Sequence, residues 1–262
     1  MKKQRLRFLI LFILLSAALA VAGFQIVSEL NSQQKEKDDF NTLAELVKPA
    51  PDESFPPAPG SNEPEPEETA ALVEPAVRDL TALFEQNSEC IGWLCIADTQ
   101  INYPVMHTPR QPQKYLRLNF HGESSQSGVP FLDYRCSLDG TNLILYGHNM
   151  KNGTMFSNLR YYTDADFCAE HAEIEFQTAD STKVYEIFAV LITSNTDAWY
   201  TFIAAESEED YAEHISDAIT RASCKSGTAP EYGSQLLTLS TCYGGSKSGR
   251  LLVLAAEKSS EE

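Results

Sequence analysis

The chain has 262 residues, room for one large domain or two small ones, and an apolar share of 43% that can supply a sizeable core. Its net charge of −17 is unevenly spread: the first seven residues carry Lys2, Lys3, Arg5 and Arg7 and no acid, residues 29–74 hold 12 acids and 3 bases, and the rest holds 25 acids and 13 bases. With no basic run beyond the N-terminus, a nucleic-acid partner is disfavoured, and the acidity reads as a solvated surface.

Residues 8–28 contain no charge. About 20 apolar residues in a helix span a hydrocarbon core of roughly 30 Å. Bases precede this run and acids come after it, so the positive-inside rule puts residues 1–7 in the cytoplasm and everything after residue 28 outside. The small-residue triplets at 18–20 and 20–22 also suit a signal-peptidase site. The run exceeds a usual signal core, which favours a retained signal-anchor, and both readings export the remainder of the chain. Residues 29–74 read as an extracellular stalk. Within them, 31–48 can form a short helix near the membrane, while 49–68 hold seven prolines, six acids and no base. That composition cannot bury enough apolar surface to fold and stays extended.

A folded domain is expected over 75–262. Val77, Leu80, Leu83 and Phe84 share one face of an opening helix. Strand patterns come next at 91–97, 101–106, 128–133, 141–148, 171–178, 183–193, 235–242 and 249–257, each bounded by turn residues. Eight short strands with few helices predict a mainly β fold, a closed or nearly closed barrel. One helix interrupts them at 207–222. Ser207 is its N-cap, Glu208, Glu209 and Asp210 suit the dipole of its first turn, and Tyr211, Ile215, Ala218, Ile219 and Ala222 form its apolar face. It lies in a connection of about 40 residues, a length that is often functional.

Six cysteines, 90, 95, 136, 168, 224 and 242, allow three disulfides by arithmetic. Their spacing argues otherwise. No CxxC occurs, which speaks against zinc and thioredoxin-like sites, and a domain of this size folds without staples. Five of them read as packing or solvent-facing thiols. Cys242 differs, because it ends a strand and precedes a loop with three glycines that lead to Arg250. A guanidinium beside a thiol favours the thiolate and can stabilise negative charge developing on a substrate oxygen. Arg250 is equally consistent with an exposed strand-end ion pair. Of the five histidines, 107, 121, 171 and 214 suit surface or internally satisfied roles. His148 instead stands after an apolar strand and Gly147, and precedes a polar turn, so it too marks a strand end. Acids are scattered without ligand spacing, so neither a metal nor another cofactor is expected.

"TLSTC" followed by Arg250, with "YGHNMKNGTMFSNLRYY" upstream, resembles the sortases, Gram-positive cell-wall transpeptidases. "IGWLCIADTQINYPVM", "YLRLNFHGE", "GVPFLDYR" and the helix inserted before the cysteine-bearing strand resemble class B members. The likeness covers about residues 78–257. It implies an eight-stranded sortase barrel with an N-terminal helix. It also implies a membrane-tethered cysteine transpeptidase, with partners of two kinds: surface proteins bearing a C-terminal sorting signal, and a peptidoglycan amine. The enzyme would cut the signal after threonine through a thioacyl intermediate and pass the protein to the amine. Carried over by motif, Cys242 is the nucleophile, His148 the proton carrier, Arg250 the oxyanion and substrate holder, and Ser240 a substrate neighbour. Two departures stand out: Tyr243 replaces the acid that often comes directly after the cysteine, and Gln111 and Pro112 replace an Asp-Asn pair ahead of Tyr115-Leu116. Alternatives are a pilin-polymerising sortase, although no Asp-Pro-aromatic lid occurs in 49–75, a cysteine endopeptidase that transfers only to water, and a tethered binding domain.

Overall fold

The structure, a computed structural model, describes residues 2–47 and 77–258. The proline-rich segment 49–68 lies outside them. Helix α1 (Lys2–Leu46) runs unbroken from the apolar stretch into the polar one, where the sequence suggested a separate short helix. No proline or glycine occurs between 24 and 46 to stop it. One-turn contacts support its polar half: Gln33 to Glu29 at 2.9 Å, Gln34 to Asp38 at 2.8 Å, and Thr42 Oγ1 to the Asp38 carbonyl at 2.9 Å. By length and composition this helix can cross a bilayer.

The domain begins with non-helical residues 77–80 rather than helix. Val77 is 68% exposed, so it does not join Leu80 and Leu83 in the core. Arg78 is pinned to a later strand instead, its N–H donating to Gln177 Oε1 at 2.9 Å and its carbonyl accepting from Gln177 Nε2 at 2.6 Å. Helix α2 therefore covers only Thr81–Gln86.

Nine strands make up the sheet: β1 (Cys90–Cys95), β2 (Asn102–Met106), β3 (Phe131–Leu132), β4 (Asn142–Tyr146), β5 (Glu173–Thr178), β6 (Thr182–Ser194), β7 (Cys224–Lys225), β8 (Leu236–Cys242) and β9 (Gly249–Glu257). Their order is β5-β1-β2-β3-β4-β8-β9-β6-β7, and β5 also pairs with β6. Eight strands thus close a barrel, the expected mainly β fold, while β7 adds to the free half of the long β6. Two residues carry no periodicity, which is why β7 leaves no trace in the pattern. Strand β3 is shorter than the 128–133 pattern. Gly128 holds a positive φ of 61°, and a Cβ there would stand 2.4 Å from the Tyr115 carbonyl oxygen.

Helices α3 (Ala165–Glu170) and α4 (Glu208–Arg221) lie outside the barrel. Ser207 caps α4, accepting from the Asp210 N–H at 3.2 Å. Tyr211, Ile215 and Ala218 are buried as expected, and His214 stacks on Phe202 with ring centroids 4.0 Å apart. The six residues Leu236 to Thr241 of β8 are all buried, a continuous run typical of strands covered on both faces.

Candidate active site

Strand register brings three distant residues together. Strands β4 and β8 are parallel, with Tyr146 level with Ser240. Both therefore leave the barrel at the same rim. Two residues further on, the same register sets His148 level with Cys242. Hydrogen bonds hold this extension: the Gly147 N–H donates to the Ser240 carbonyl (3.1 Å), Thr241 Oγ1 to the Gly147 carbonyl (2.7 Å), and Asn149 Nδ2 to the Cys242 carbonyl (2.9 Å). Strand β9 is antiparallel to β8 and pairs Arg250 with Cys242. Neighbouring strands are about 4.8 Å apart, and residues level with each other share a face. Cys242 thus sits in the middle strand of a row, His148 on one side and Arg250 on the other.

All three line one groove of about 550 Å³. Its floor continues through Ser240 and Tyr146, and one wall comes from the connection after β6. That wall includes Asp197 and Tyr200. Asp197 Oδ1 accepts from the Trp199 N–H at 2.9 Å, and Arg221 of α4 donates to its Oδ2 at 2.7 Å. The inserted helix therefore braces the wall without lining the groove itself. Ser240 is 2% exposed and shares a 2.7 Å hydrogen bond with the Tyr200 hydroxyl.

Cys242 is exposed, whereas Cys90, Cys136, Cys168 and Cys224 are buried and Cys95 is half-buried; all six are free thiols. Burial pushes Cys90 and Cys136 up to about 11 and Cys168 to about 12, which makes them poor nucleophiles. His148 is half-buried, and its Nε2 lies 3.0 Å from the Leu116 carbonyl. A carbonyl only accepts, so Nε2 carries the hydrogen, and Nδ1 of the neutral ring is the nitrogen able to take a proton. Burial lowers the His148 pKa below the usual histidine range, with the Leu116 bond opposing and the Arg117 charge adding to the effect. Arg250 Nη1 donates to the Lys247 carbonyl (3.1 Å) and the Gly249 carbonyl (2.8 Å). These bonds orient the fork and leave Nε and Nη2 as donors for a ligand. The loop can make this turn because Gly244 and Gly245 hold φ of 73° and 70°, and a Cβ on Gly249 would stand 2.2 Å from the Tyr243 carbonyl oxygen.

The other four histidines lie elsewhere. His171 bonds the Phe167 carbonyl and His214 the Asp210 carbonyl. His107 is the exception to the expected satisfied role, since its Nε2 is buried without a partner among the described residues. Sequence reasoning missed Asp133, Arg135, Tyr146 and Tyr200, all of which line the groove. Period two was the available signal. Tyr146 precedes His148 by two residues and Ser240 precedes Cys242 by two, so each pair shares a strand face.

A closed barrel that sets a thiol, an imidazole and a guanidinium on adjacent strands of one rim has the parts of a cysteine acyl-transfer enzyme. The family model described as the sortase domain matches residues 94–258. A sortase B of Listeria monocytogenes is 34% identical over 172 residues, covering 65% of this chain and 68% of the relative. Two solved structures superpose. Sortase B from B. anthracis gives a TM-score of 0.69 at 27% identity, covering 87% of this chain and 98% of that one. The Staphylococcus aureus sortase B–substrate complex gives 0.63 at 29% identity, covering 68% and 83%. The chain belongs to the sortase family of cysteine transpeptidases, as a member of class B.

Proposed function

We propose that this chain is a membrane-anchored sortase that cleaves a C-terminal sorting signal after threonine and joins the threonine carbonyl to a peptidoglycan amine. The observation that carries this reading is the row His148–Cys242–Arg250 across β4, β8 and β9. The Cys242 thiolate attacks the threonine carbonyl carbon, and Arg250 donates to the oxygen as it becomes negative. The carbon–nitrogen bond then breaks. His148 gives the departing nitrogen its proton, leaving a thioester on Cys242. An incoming amine attacks that thioester, His148 takes up the amine's proton, and the Cys242 thiolate is released. Helix α1 anchors the enzyme, with residues 1–7 in the cytoplasm, residues 29–74 as an outer stalk and the domain from residue 75 outside.

The wall contributed by the connection after β6 is the part of the groove suited to choosing the signal, of an Asn-Pro-Gln-Thr-Asn-like or Pro-x-Thr-Gly-like type. The test is to incubate the full chain in detergent with a small library of sorting peptides and an added amine, and to identify products by mass. Cleavage after threonine with an amine adduct is expected. Hydrolysis alone at every amine concentration would favour the endopeptidase reading, and a preference for a pilin lysine over a cell-wall peptide amine would favour pilin polymerisation.

A further inference from the structure

Beside the reacting row, the groove holds an ion pair between a buried acid, Asp133, and an exposed base, Arg135, that the chemistry above does not use. Asp133 is 4% exposed. Its Oδ1 accepts from the Arg135 N–H and from Arg135 Nε, both at 2.9 Å. Its Oδ2 accepts from Arg135 Nη2 and from the Tyr146 hydroxyl, both at 2.8 Å. The same Arg135 Nη2 reaches the Tyr200 carbonyl at 2.9 Å. The Tyr146 and Tyr200 rings are nearly parallel, 16° apart with centroids at 6.2 Å, and the Tyr200 hydroxyl bonds Ser240.

These bonds form a circuit over three separate pieces of chain: the end of β3, the end of β4 and the connection after β6. Each piece lines the groove. Both tyrosine hydroxyls are engaged within the protein, so what the rings offer an occupant is their faces. A tyrosine ring at a groove wall rotates about two side-chain bonds, and a tied hydroxyl adds to packing in removing that freedom. Here Asp133 ties Tyr146, and Arg135, fixed by its two-pronged bond to Asp133, ties the backbone of Tyr200.

We propose that Asp133 and Arg135 are positioning residues that hold Tyr146 and Tyr200 as a preset aromatic wall for the sorting peptide beside Cys242. The inference rests on the transpeptidase reading of the groove. The pair acts on peptide binding and not on bond cleavage, because none of its polar atoms is spent on Cys242, His148 or Arg250. Preset walls spare a ligand the entropy of ordering them, and that saving appears as affinity.

The test compares the full-length wild type with Asp133→Asn, Tyr146→Phe and the double variant in steady-state cleavage of a sorting peptide, alongside alkylation of Cys242 by iodoacetamide. A hydrogen bond to a charged group corresponds to about a tenfold change in binding or more. Each single variant is expected to raise KM about tenfold with a much smaller change in kcat, the signature of lost uniform binding. The double variant should be no worse than the worse single variant, since both remove one shared bond. Alkylation of Cys242 should keep its wild-type rate. Tyr146→Phe keeps the ring and all charges, so it tests the idea even where Asp133→Asn folds poorly. An unchanged KM in Tyr146→Phe, a loss confined to kcat, or multiplying effects in the double variant would overturn the inference while leaving the transpeptidase reading intact. A wild type that cleaves no sorting peptide would remove that reading and this inference with it.

Discussion

Cys242 differs from the other five cysteines in exposure and in its neighbours across the sheet, and it is the residue proposed as nucleophile. Cys242→Ala is therefore expected to abolish turnover and His148→Ala to remove nearly all of it. Arg250→Lys should lose on the order of 100-fold in kcat/KM, because an ammonium cannot reproduce a planar fork that is already oriented by two carbonyls. Steady-state peptide cleavage checks all three. Histidine charge sets a second expectation. Burial holds His148 and His107 below the usual histidine range, partly opposed by the Leu116 carbonyl at the first and by Asp133 at the second. Unfolded histidines titrate near about 6.5. As pH falls through that value the unfolded chain takes up protons that the native state refuses, so stability present above about 6.5 declines below it. Asp133 and Asp197 also lose their contribution on acidification, but at lower pH. Burial alone would raise them, yet Arg135 and Arg221 hold them low, so their contribution persists until pH drops below about 4. The melting temperature should therefore fall between pH 8 and 5, and fall less in His107→Gln; an equal slope in that variant would contradict the assignment.

At the scale of elements, the site depends on how β4 ends. A Cβ on Gly147 would stand 2.5 Å from the Phe156 ring, which is fully buried. Gly147→Ala should destabilise the domain by about 1–3 kcal/mol. It should also displace His148 from its level with Cys242, lowering kcat more than the stability loss explains; denaturant melts and kinetics on one sample separate the two. The strand ends carrying His148, Cys242 and Arg250 were legible because apolar runs stop abruptly there. So were Ser207 and the buried face of α4, which obey local capping and periodicity. That the three meet at one rim was implied by the sortase resemblance; the row is not specified by the strand pattern alone. It arises from a parallel pairing between strands more than 90 residues apart in sequence, and a single chain's pattern does not specify which strands pair. Val77 shows the converse limit. Helical spacing placed it with Leu80 and Leu83, but Gln177, about 100 residues away, binds the backbone of Arg78 and that stretch is not helical. Asp133, Arg135 and Tyr200 were hidden for the same reason: each joins the groove through partners remote in sequence.

For the whole molecule, one exposed thiol on a barrel with buried ones predicts a simple inventory. Native protein treated briefly with iodoacetamide should carry its first label on Cys242, while Cys90, Cys136, Cys168 and Cys224 label only after denaturation; peptide mapping reads this directly. Helix α1 is long and apolar enough to take the full chain into a detergent-rich phase, and phase partitioning tests the proposed anchor. The row at the rim is proposed to pass an acyl group through Cys242, and one mass measurement bears on that step without intermediaries. Full-length enzyme is mixed with a sorting peptide in the absence of amine, quenched in acid, and weighed intact. The expected species is an adduct with the mass of the peptide through its threonine, mapped to Cys242 and discharged when an amine is added. Cleavage by Cys242→Ala, or an adduct mapped to any other residue, would contradict it.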